Sequence, residues 1–355
     1  MPQFRWKILK IIFLSSVFGL ISGILGGLII AGVYAPVYGI KESFLRPPVD
    51  RGGLEKENDK IERANLGLVT FYVNRGKAPP TYDDQLGYGA MLTSDGWAVT
   101  TSKVARLGTA KILAVTGDRA PHQVESIIYD TATDAAFLRI KGERFAAVGG
   151  GSSRELSPGA ELLAVDYLKN VYRPKFLGIN YINGEANEIQ SSEKTKKSVF
   201  VSGTKDINLP GGPLFDEKSN LVGVLTDPLR GTAIPFEYLS PAFRELLRQG
   251  KIARPFLGVN YIDLGATLSK REDGERGALI ASSGGRRGAV RGGPAQLAGL
   301  EDGDVILKID DDELTAKISL SERIAEYPVG ASARFAIRRK DGREETKEIT
   351  LKARP

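Results

Sequence analysis

The stretch of the sequence best suited to chemistry is a turn of glycine and proline at residues 210–213, which leads into an apolar strand at residues 221–225. Glycines in such a turn allow backbone N–H groups to point inward around an oxyanion, an arrangement that stabilises the intermediates of acyl transfer. Acyl transfer also needs a nucleophilic side chain. The turn begins with Pro210, which has no hydroxyl group, so the scaffold of such a site lacks a nucleophile of its own.

The side chains that could activate a nucleophile are few. His122 is the single histidine, and we expect it in a turn between two strands, a place typical of surface residues. Ser102 adjoins Lys103, but neighbours on a strand point to opposite faces and do not suit a serine–lysine dyad. Ser202 is expected on the strand that enters the 210–213 turn. The chain has no cysteine, which excludes disulfides and thiolate metal sites, and we expect no metal or cofactor.

The elements around this turn are predicted to be short β-strands. Apolar runs separated by turn residues predict a first set of strands at residues 66–73, 88–92, 97–101, 111–116, 123–129 and 135–140. A second set is predicted at residues 161–166, 175–182, 198–202, 221–225 and 232–234. About a dozen strands without a long helix favour a mainly-β double barrel or sandwich.

Several motifs resemble the HtrA/Deg family, trypsin-like serine proteases that carry PDZ domains. PGGPLFDEKSNLVGVLT is similar to the G-N-S-G-G-P-L loop of that family, and GWAVTTSKV, DTATDAAFLRI and GTAIPFEYL are further anchors. The resemblance covers residues 66–355. It implies a trypsin-like double β-barrel over residues 65–240, a linking helix over 241–253 and an α+β PDZ domain over 254–355.

The resemblance implies a degenerate catalytic triad. The histidine of the family falls on Lys103, its aspartate on Asp134 and its serine on Pro210, while a further glycine of the loop falls on Asn208. Proline has neither a hydroxyl nor a backbone N–H, so it can serve neither as nucleophile nor as oxyanion donor. We therefore expect an inactive site in which Lys103 and Asp134 form a salt bridge; a solvated Lys103 is the alternative.

The C-terminal module resembles a PDZ domain through GGPAQLAGLEDGDVILKID. PDZ domains bind extended C-terminal peptides by strand addition. The resemblance implies a carboxylate-binding loop formed by Phe256, Leu257, Gly258 and Val259. It also implies that Tyr261 lies on the strand that accepts the peptide, and that Leu320 and Ile324 lie on a helix across the groove. The two helix residues lie at i, i+4 and could instead be ordinary core residues.

The N-terminus has the pattern of a membrane anchor. Residues 11–34 are an uncharged run of 24 residues, about 36 Å of helix, enough to cross a ~30 Å hydrocarbon core. Arg5, Lys7 and Lys10 precede it and predict a cytoplasmic N-terminus at residues 1–10, with the body outside the cytoplasmic membrane, periplasmic or extracellular. We predict an uncleaved signal anchor followed by a linker at residues 35–64; a cleaved signal peptide is the alternative.

The net charge of +6 is modest and the basic residues are interspersed with acidic ones, so we expect no nucleic-acid partner. We predict a membrane-anchored pseudoprotease that binds polypeptide C-termini or unfolded proteins in envelope protein quality control. Two alternatives are an active HtrA-like serine endopeptidase with an unusual base and a non-catalytic subunit of an oligomer with an active HtrA protease. The resemblance implies trimers, either homo- or hetero-oligomeric.

Overall fold

The computed structural model describes residues 15–16, 51–76, 78–181, 189–207, 210–266 and 276–353. The predicted membrane span at residues 11–34 therefore lies outside the described residues, apart from Ser15 and Ser16. Among the helices of the described ranges, none is long and apolar enough to cross a membrane. The chain divides into two compact units, Met1–Glu57 and Asn58–Pro355.

Helix α1 spans Arg51–Gly67 and is longer than the short helix or tether expected from residues 54–63. Its C-terminal half carries Ile61 and Ala64, which lie three residues apart and so share one face of the helix. Ala64 is fully buried, and both residues pack against the core formed by strands of the two barrels. This burial explains why the polar, charged sequence of α1 continues as a helix up to the first strand.

The first six strands close a barrel in the order β1-β2-β3-β6-β5-β4. The strands are β1 (Leu68–Val73), β2 (Gln85–Met91), β3 (Trp97–Thr101), β4 (Ile112–Thr116), β5 (Pro121–Asp130) and β6 (Ala135–Ile140). Strands β3 and β6 have the predicted bounds and pair antiparallel, with Thr101 opposite Ala135. The barrel interior is filled by Phe71, Met91 and Leu138, all at most 1% exposed.

The second set of strands, predicted as a second barrel and given that name here, forms a six-stranded sheet rather than a closed barrel. Its order is β10-β12-β15-β14-β13, with β7 added to β14. The strands are β7 (Gly149–Gly150), β10 (Lys175–Tyr181), β12 (Lys197–Ser202), β13 (Pro213–Phe215), β14 (Asn220–Asp227) and β15 (Thr232–Pro235). The predicted strand at residues 161–166 is shorter, β8 (Ala164–Val165), and pairs with β9 (Val171–Tyr172). Glu161 bridges Lys175 and Leu163 bridges Phe215, so this segment joins both edges of the sheet through single bridges.

Helix α3 (Phe236–Gln249) follows β15 and begins earlier than the predicted start at Pro241. Proline is common in the first turn of a helix, which favoured the later start. Tyr238, Leu239 and Ala242 are buried on one face, and this packing extends the helix back to Phe236. Gly250 ends the helix with a left-handed φ of 72°, as predicted.

The last module is a sheet with two short helices. Its strand order is β11-β17-β18-β19-β21-β22, with β20 paired to β19 and β16 paired to β23. The strands are β11 (Gln190–Ser191), β16 (Pro255–Phe256), β17 (Asn260–Asp263), β18 (Ala278–Ile280), β19 (Val305–Ile309), β20 (Asp312–Glu313), β21 (Ser332–Arg338), β22 (Glu344–Thr350) and β23 (Lys352–Ala353). Helices α4 (Pro294–Leu297) and α5 (Leu320–Ala325) lie within one residue of their predicted bounds. The predicted hairpin at Asp341–Gly342 joins β21 to β22.

Candidate functional site

The three positions assigned to a triad lie on neighbouring elements, but only Lys103 and Asp134 line a common cavity. Lys103 belongs to a single helical turn, α2 (Ser102–Ala105), directly after β3. The Ser102 N–H donates to the Asp134 carbonyl at 2.8 Å, which holds the start of α2 beside Asp134. A Cβ at Gly87 would lie 2.5 Å from both Val104 Cγ2 and the Pro210 carbonyl oxygen, so Pro210 and α2 contact the same glycine.

The expected salt bridge between Lys103 and Asp134 is not formed. Both residues are described and exposed, and no ion pair within 4.0 Å joins them. Asp134 has a left-handed backbone, with φ at 59°, and its backbone rather than its carboxylate faces α2. An ion pair between two solvated side chains contributes little free energy, which is consistent with the absence of a salt bridge here. Lys103 is exposed to solvent, as the alternative prediction stated.

A cavity of about 630 Å³ opens beside these two side chains. Lys103 and Asp134 line it from the first barrel, and Lys194, Ser198 and Arg230 line it from the second barrel and its loops. The lining carries more basic than acidic groups. Ser198 was not singled out by the sequence, because its place on the cavity wall depends on the pairing of β12 with β15.

The backbone of the 210–213 turn is engaged with the barrels rather than open to the cavity. The Pro210 carbonyl accepts the Tyr88 N–H at 2.9 Å, and the Gly211 N–H donates to the Leu225 carbonyl at 2.7 Å. Pro210 has no N–H of its own. Asn208, on which a further glycine of the loop falls, lies outside the described residues. Of the described residues of this turn, Pro210 has no N–H and Gly211 has its N–H bonded to Leu225, so neither offers a free donor to an oxyanion.

The other nucleophile and base candidates are dispersed. Ser102 and Lys103 lie on a helical turn, not on a strand as expected, but helical neighbours also do not face each other. Ser202 ends β12 as an exposed residue. His122 lies in β5 rather than in a turn, where its Nδ1 is 3.1 Å from the Lys141 carbonyl and its ring meets Phe145 edge-on. No group of side chains in the described ranges has a composition that could hold a metal ion.

The structure brings the predicted peptide-groove residues together in the C-terminal module. Gly258 has a φ of 78° and precedes β17, which contains Tyr261; Phe256 lies in β16, and Leu320 and Ile324 lie on α5. The Tyr261 hydroxyl contacts Ser321 Oγ at 3.2 Å and so links β17 to α5. Five of the seven predicted residues are at most 1% exposed and belong to the hydrophobic core: Leu257, Val259, Tyr261, Leu320 and Ile324.

A buried polar cluster joins the groove elements to the second barrel, and no sequence pattern revealed it. Lys197 Nζ lies 3.0 Å from Glu322 Oε2, although 125 residues separate them, and the two residues are 5% and 2% exposed. The Tyr238 hydroxyl donates to Glu322 Oε1 at 2.7 Å, and the Tyr181 hydroxyl donates to Asp263 Oδ2 at 2.7 Å.

The two buried carboxylates have opposite pKa shifts. Burial raises the pKa of Asp263, although the Tyr181 hydroxyl and Lys197 oppose the shift. Burial also acts to raise the pKa of Glu322, but Lys197 and the hydrogen bonds from Ser319 and Tyr238 outweigh it and lower that pKa. Glu322 is therefore held as a carboxylate by a specific set of partners.

Comparisons with known proteins agree with this architecture. Residues 87–224 match the family model of the trypsin-like peptidase domain, and residues 262–351 match that of the PDZ domain. A putative serine protease HhoB of Synechocystis sp. is 27% identical over 276 residues, which are 74% of this chain and 66% of that protein. A probable periplasmic serine endoprotease DegP-like of Pseudomonas putida is 26% identical over 282 residues, 76% of this chain and 56% of that protein.

Solved structures show the same fold. An HtrA-type protease AlgW with decapeptide superposes with a TM-score of 0.57 at 22% identity, covering 84% of this chain and 98% of that one. AlgW with tripeptide gives a TM-score of 0.57 at 20% identity, with 84% and 97% covered. The chain spans between 56% and 66% of the length of the two curated relatives described above.

Proposed function

We propose that this chain, which joins a trypsin-like peptidase domain to a PDZ domain and is homologous to HtrA-type proteases, is a catalytically inactive protein that binds polypeptides or their C-termini. We assign residues 65–240 to the peptidase domain, 241–253 to the linking helix and 254–355 to the PDZ domain. Its role is protein quality control outside the cytoplasm.

The observation that carries the proposal is the residue at position 210. A serine-type peptidase needs a hydroxyl at the head of this turn and donors that face the oxyanion. Pro210 supplies no hydroxyl and no N–H, and the next N–H, of Gly211, is bonded to Leu225. This position thus supports neither nucleophilic attack nor oxyanion stabilisation.

Lys103, at the position assigned to the catalytic base, also supports an inactive site. Lysine acts as a general base where burial or a neighbouring cation removes its proton. Lys103 is exposed, and no ion pair within 4.0 Å joins it to its predicted partner Asp134. An exposed lysine at this place suits a solvated surface of the cleft better than proton transfer.

Polypeptide binding is assigned to the groove between β17 and α5. Strand addition needs a sheet edge that offers backbone hydrogen bonds and a turn that offers N–H groups to a carboxylate. The positive-φ turn at Gly258 meets the second requirement, and β17 meets the first once β11, the two-residue strand paired with it, has left that edge. The name of the Pseudomonas putida relative, a periplasmic endoprotease, supports an extracytoplasmic body, and residues 11–34 supply the proposed membrane anchor.

The test is reaction of the full chain with casein and with a fluorophosphonate probe, beside an active HtrA protease as control. We expect no cleavage and no labelling. Specific labelling of a serine would contradict the proposal.

The cavity favours one alternative, a serine peptidase with an unusual base, because Ser198 lies on its wall together with Lys103. Ser102→Ala and Ser198→Ala variants distinguish the two functions. Labelling that disappears in one of them would identify the nucleophile, whereas an unlabelled wild-type chain supports the pseudoprotease.

A further inference from the structure

The outer edge of the PDZ sheet is already paired with another part of the same chain. Strand β11 belongs to the connection between β10 and β12 of the second barrel, yet it pairs antiparallel with β17. Gln190 lies opposite Tyr261 and Ser191 lies opposite Asn260. The Ser192 N–H continues this ladder by donating to the Val259 carbonyl at 2.8 Å.

A carboxylate occupies the turn in which a peptide terminus would be held. The Gly258 N–H donates to Glu193 Oε1 at 2.9 Å, and the Val259 N–H donates to Ser192 Oγ at 3.0 Å. The Ser191 hydroxyl donates to the other carboxylate oxygen of Glu193 at 2.7 Å. The segment thus places a carboxylate in the Gly258 turn and an antiparallel strand on the edge of β17. A bound peptide C-terminus makes the same two contacts.

Both ends of this connection are fixed to the groove elements. At the end of β10, the Tyr181 hydroxyl bonds Asp263 at the end of β17. At the start of β12, Lys197 bonds Glu322 on α5 and donates to the Ala316 carbonyl at 2.9 Å. The segment is therefore held close to the groove whether or not β11 is paired, and a tethered ligand acts at a high effective concentration.

We propose that residues 190–193 are the resident ligand of the PDZ groove, with the Glu193 side-chain carboxylate in the place of a terminal carboxylate. An incoming polypeptide with a free C-terminus binds by displacing this segment. The displacement step rests on the proposed peptide-binding function; the seating of the segment does not. The consequence is that the apparent affinity for an external peptide equals the intrinsic affinity multiplied by the fraction of molecules in which the groove is empty.

The first experiment locks the segment in place. The chain has no cysteine, so Ser191→Cys with Asn260→Cys introduces a single possible disulfide. The Ser192–Val259 pair is hydrogen-bonded, so the adjacent Ser191–Asn260 pair is a non-hydrogen-bonded pair of the antiparallel ladder. The side chains of a non-hydrogen-bonded pair lie close together, which suits a disulfide. Mild oxidation of the full chain is expected to form the bond, whereas Ser191→Cys with Ser332→Cys, on β21, is expected not to. Failure of the first pair to oxidise would overturn the seating of the segment.

The second experiment releases the segment. Glu193→Lys replaces the acceptor of the Gly258 N–H by an ammonium group, which accepts no hydrogen bond. Hydrogen exchange of the amides of Gly258 and Val259, which donate to Glu193 and Ser192, is expected to be at least tenfold faster in this variant of the full chain than in the wild type. Glu217→Lys, at an exposed turn residue, serves as the matched control and leaves the exchange unchanged. Equal exchange in the wild type and in Glu193→Lys would contradict the proposal.

A fluorescein-labelled peptide that ends in Ile-Gln-Ser-Ser with a free carboxylate probes the displacement by fluorescence polarisation. Glu193→Lys is expected to bind it at least tenfold more tightly than the wild type. The oxidised cysteine pair is expected to bind it at least tenfold more weakly than the same protein after reduction. Equal affinity in all forms would overturn displacement. Binding to none of them would contradict the peptide-binding function, while oxidation and exchange still decide the seating of residues 190–193.

Discussion

At the scale of single residues, Pro210 shapes the turn and carries the proposed loss of catalysis. Its carbonyl accepts the Tyr88 N–H at 2.9 Å and so joins the turn of the second barrel to β2 of the first. The same residue has no hydroxyl and no N–H. Pro210 therefore contributes a backbone hydrogen bond to the turn but neither a hydroxyl nor an N–H.

Pro210→Ser alone is expected to leave the protein inactive, because a serine hydroxyl needs a base within hydrogen-bond reach. A base contributes about 10²–10⁴-fold to the rate. We therefore expect Lys103→His combined with Pro210→Ser to react with a fluorophosphonate probe about 10²-fold faster than Pro210→Ser alone. Rapid labelling of the single variant would show that Lys103 acts as a base.

Gly211 is expected to tolerate no side chain. Its φ is 84°, and a Cβ would lie 2.0 Å from the Tyr88 carbonyl oxygen and 2.4 Å from Thr100 Oγ1. The left-handed backbone costs a non-glycine residue about 1–2 kcal/mol, and the backbone clash adds to that. Gly211→Ala should lower the free energy of unfolding by more than ~3 kcal/mol in urea titration.

Gly76→Ala is the matched control for this substitution. Gly76 has a similar φ of 75°, but a Cβ added there would meet no atom within 4 Å. Only the cost of the left-handed backbone, about 1 kcal/mol, therefore remains. Similar losses in the two variants would contradict the importance of the close approach to Tyr88.

At the scale of elements, one buried ion pair fixes α5 against the second barrel. Lys197 and Glu322 are nearly inaccessible, and removal of Lys197 leaves the buried carboxylate with only the more distant Arg154, 3.6 Å away, as a cationic partner within 4.0 Å among the described residues. Lys197→Met should lower the free energy of unfolding by about 3–5 kcal/mol. Lys218→Met, at an exposed turn, should change it by less than about 0.5 kcal/mol. Equal effects of the two substitutions would contradict a structural role for the pair.

The same pair sets a pH dependence. The lowered pKa of Glu322 means that its ionised form stabilises the fold above the ordinary value of 4.5, and this contribution is lost as the pH falls through the lower folded-state pKa. Asp263, whose pKa burial raises, acts in the opposite sense and gains stability as it is protonated. Urea titrations of the wild type and Glu322→Gln should therefore converge below pH 4.5. A constant difference between neutral and strongly acidic pH would contradict this assignment.

At the scale of the whole molecule, residues 58–355 form one compact unit. Its modules are linked, within the described residues, by the β11–β17 pairing, by the Lys197–Glu322 pair and by a buried ion pair between Arg254 and Asp130 of the first barrel. Because the two ion pairs are buried between modules, the unfolding of one module leaves the charged partner in the other without its counter-ion. The modules are thus expected to unfold together.

Scanning calorimetry tests this coupling. The wild type should show a single transition for the body, and Lys197→Met with Arg254→Met should separate it into two. Lys218→Met with Lys308→Met, both at exposed positions, should leave one transition. Two transitions in the wild type would contradict the coupling.

The sequence by itself determined the features that depend on neighbouring residues. The alternation of apolar residues predicted β3, β6 and β19 with their observed bounds, and glycines marked the end of α3 and the β21–β22 turn. The identity of Pro210 likewise follows from the chain alone and carries the proposed loss of catalysis.

Only the tertiary structure decided which distant residues meet. Lys103 and Asp134 lie on adjoining elements without pairing, whereas Lys197 pairs with Glu322 across 125 residues and Glu193 reaches Gly258 across 65. Local patterns determine backbone conformation over a few residues, but the partner of a charged side chain depends on burial and on the direction in which each backbone presents it. For this reason the contact between Glu193 and the Gly258 turn follows only from the tertiary placement of these two segments.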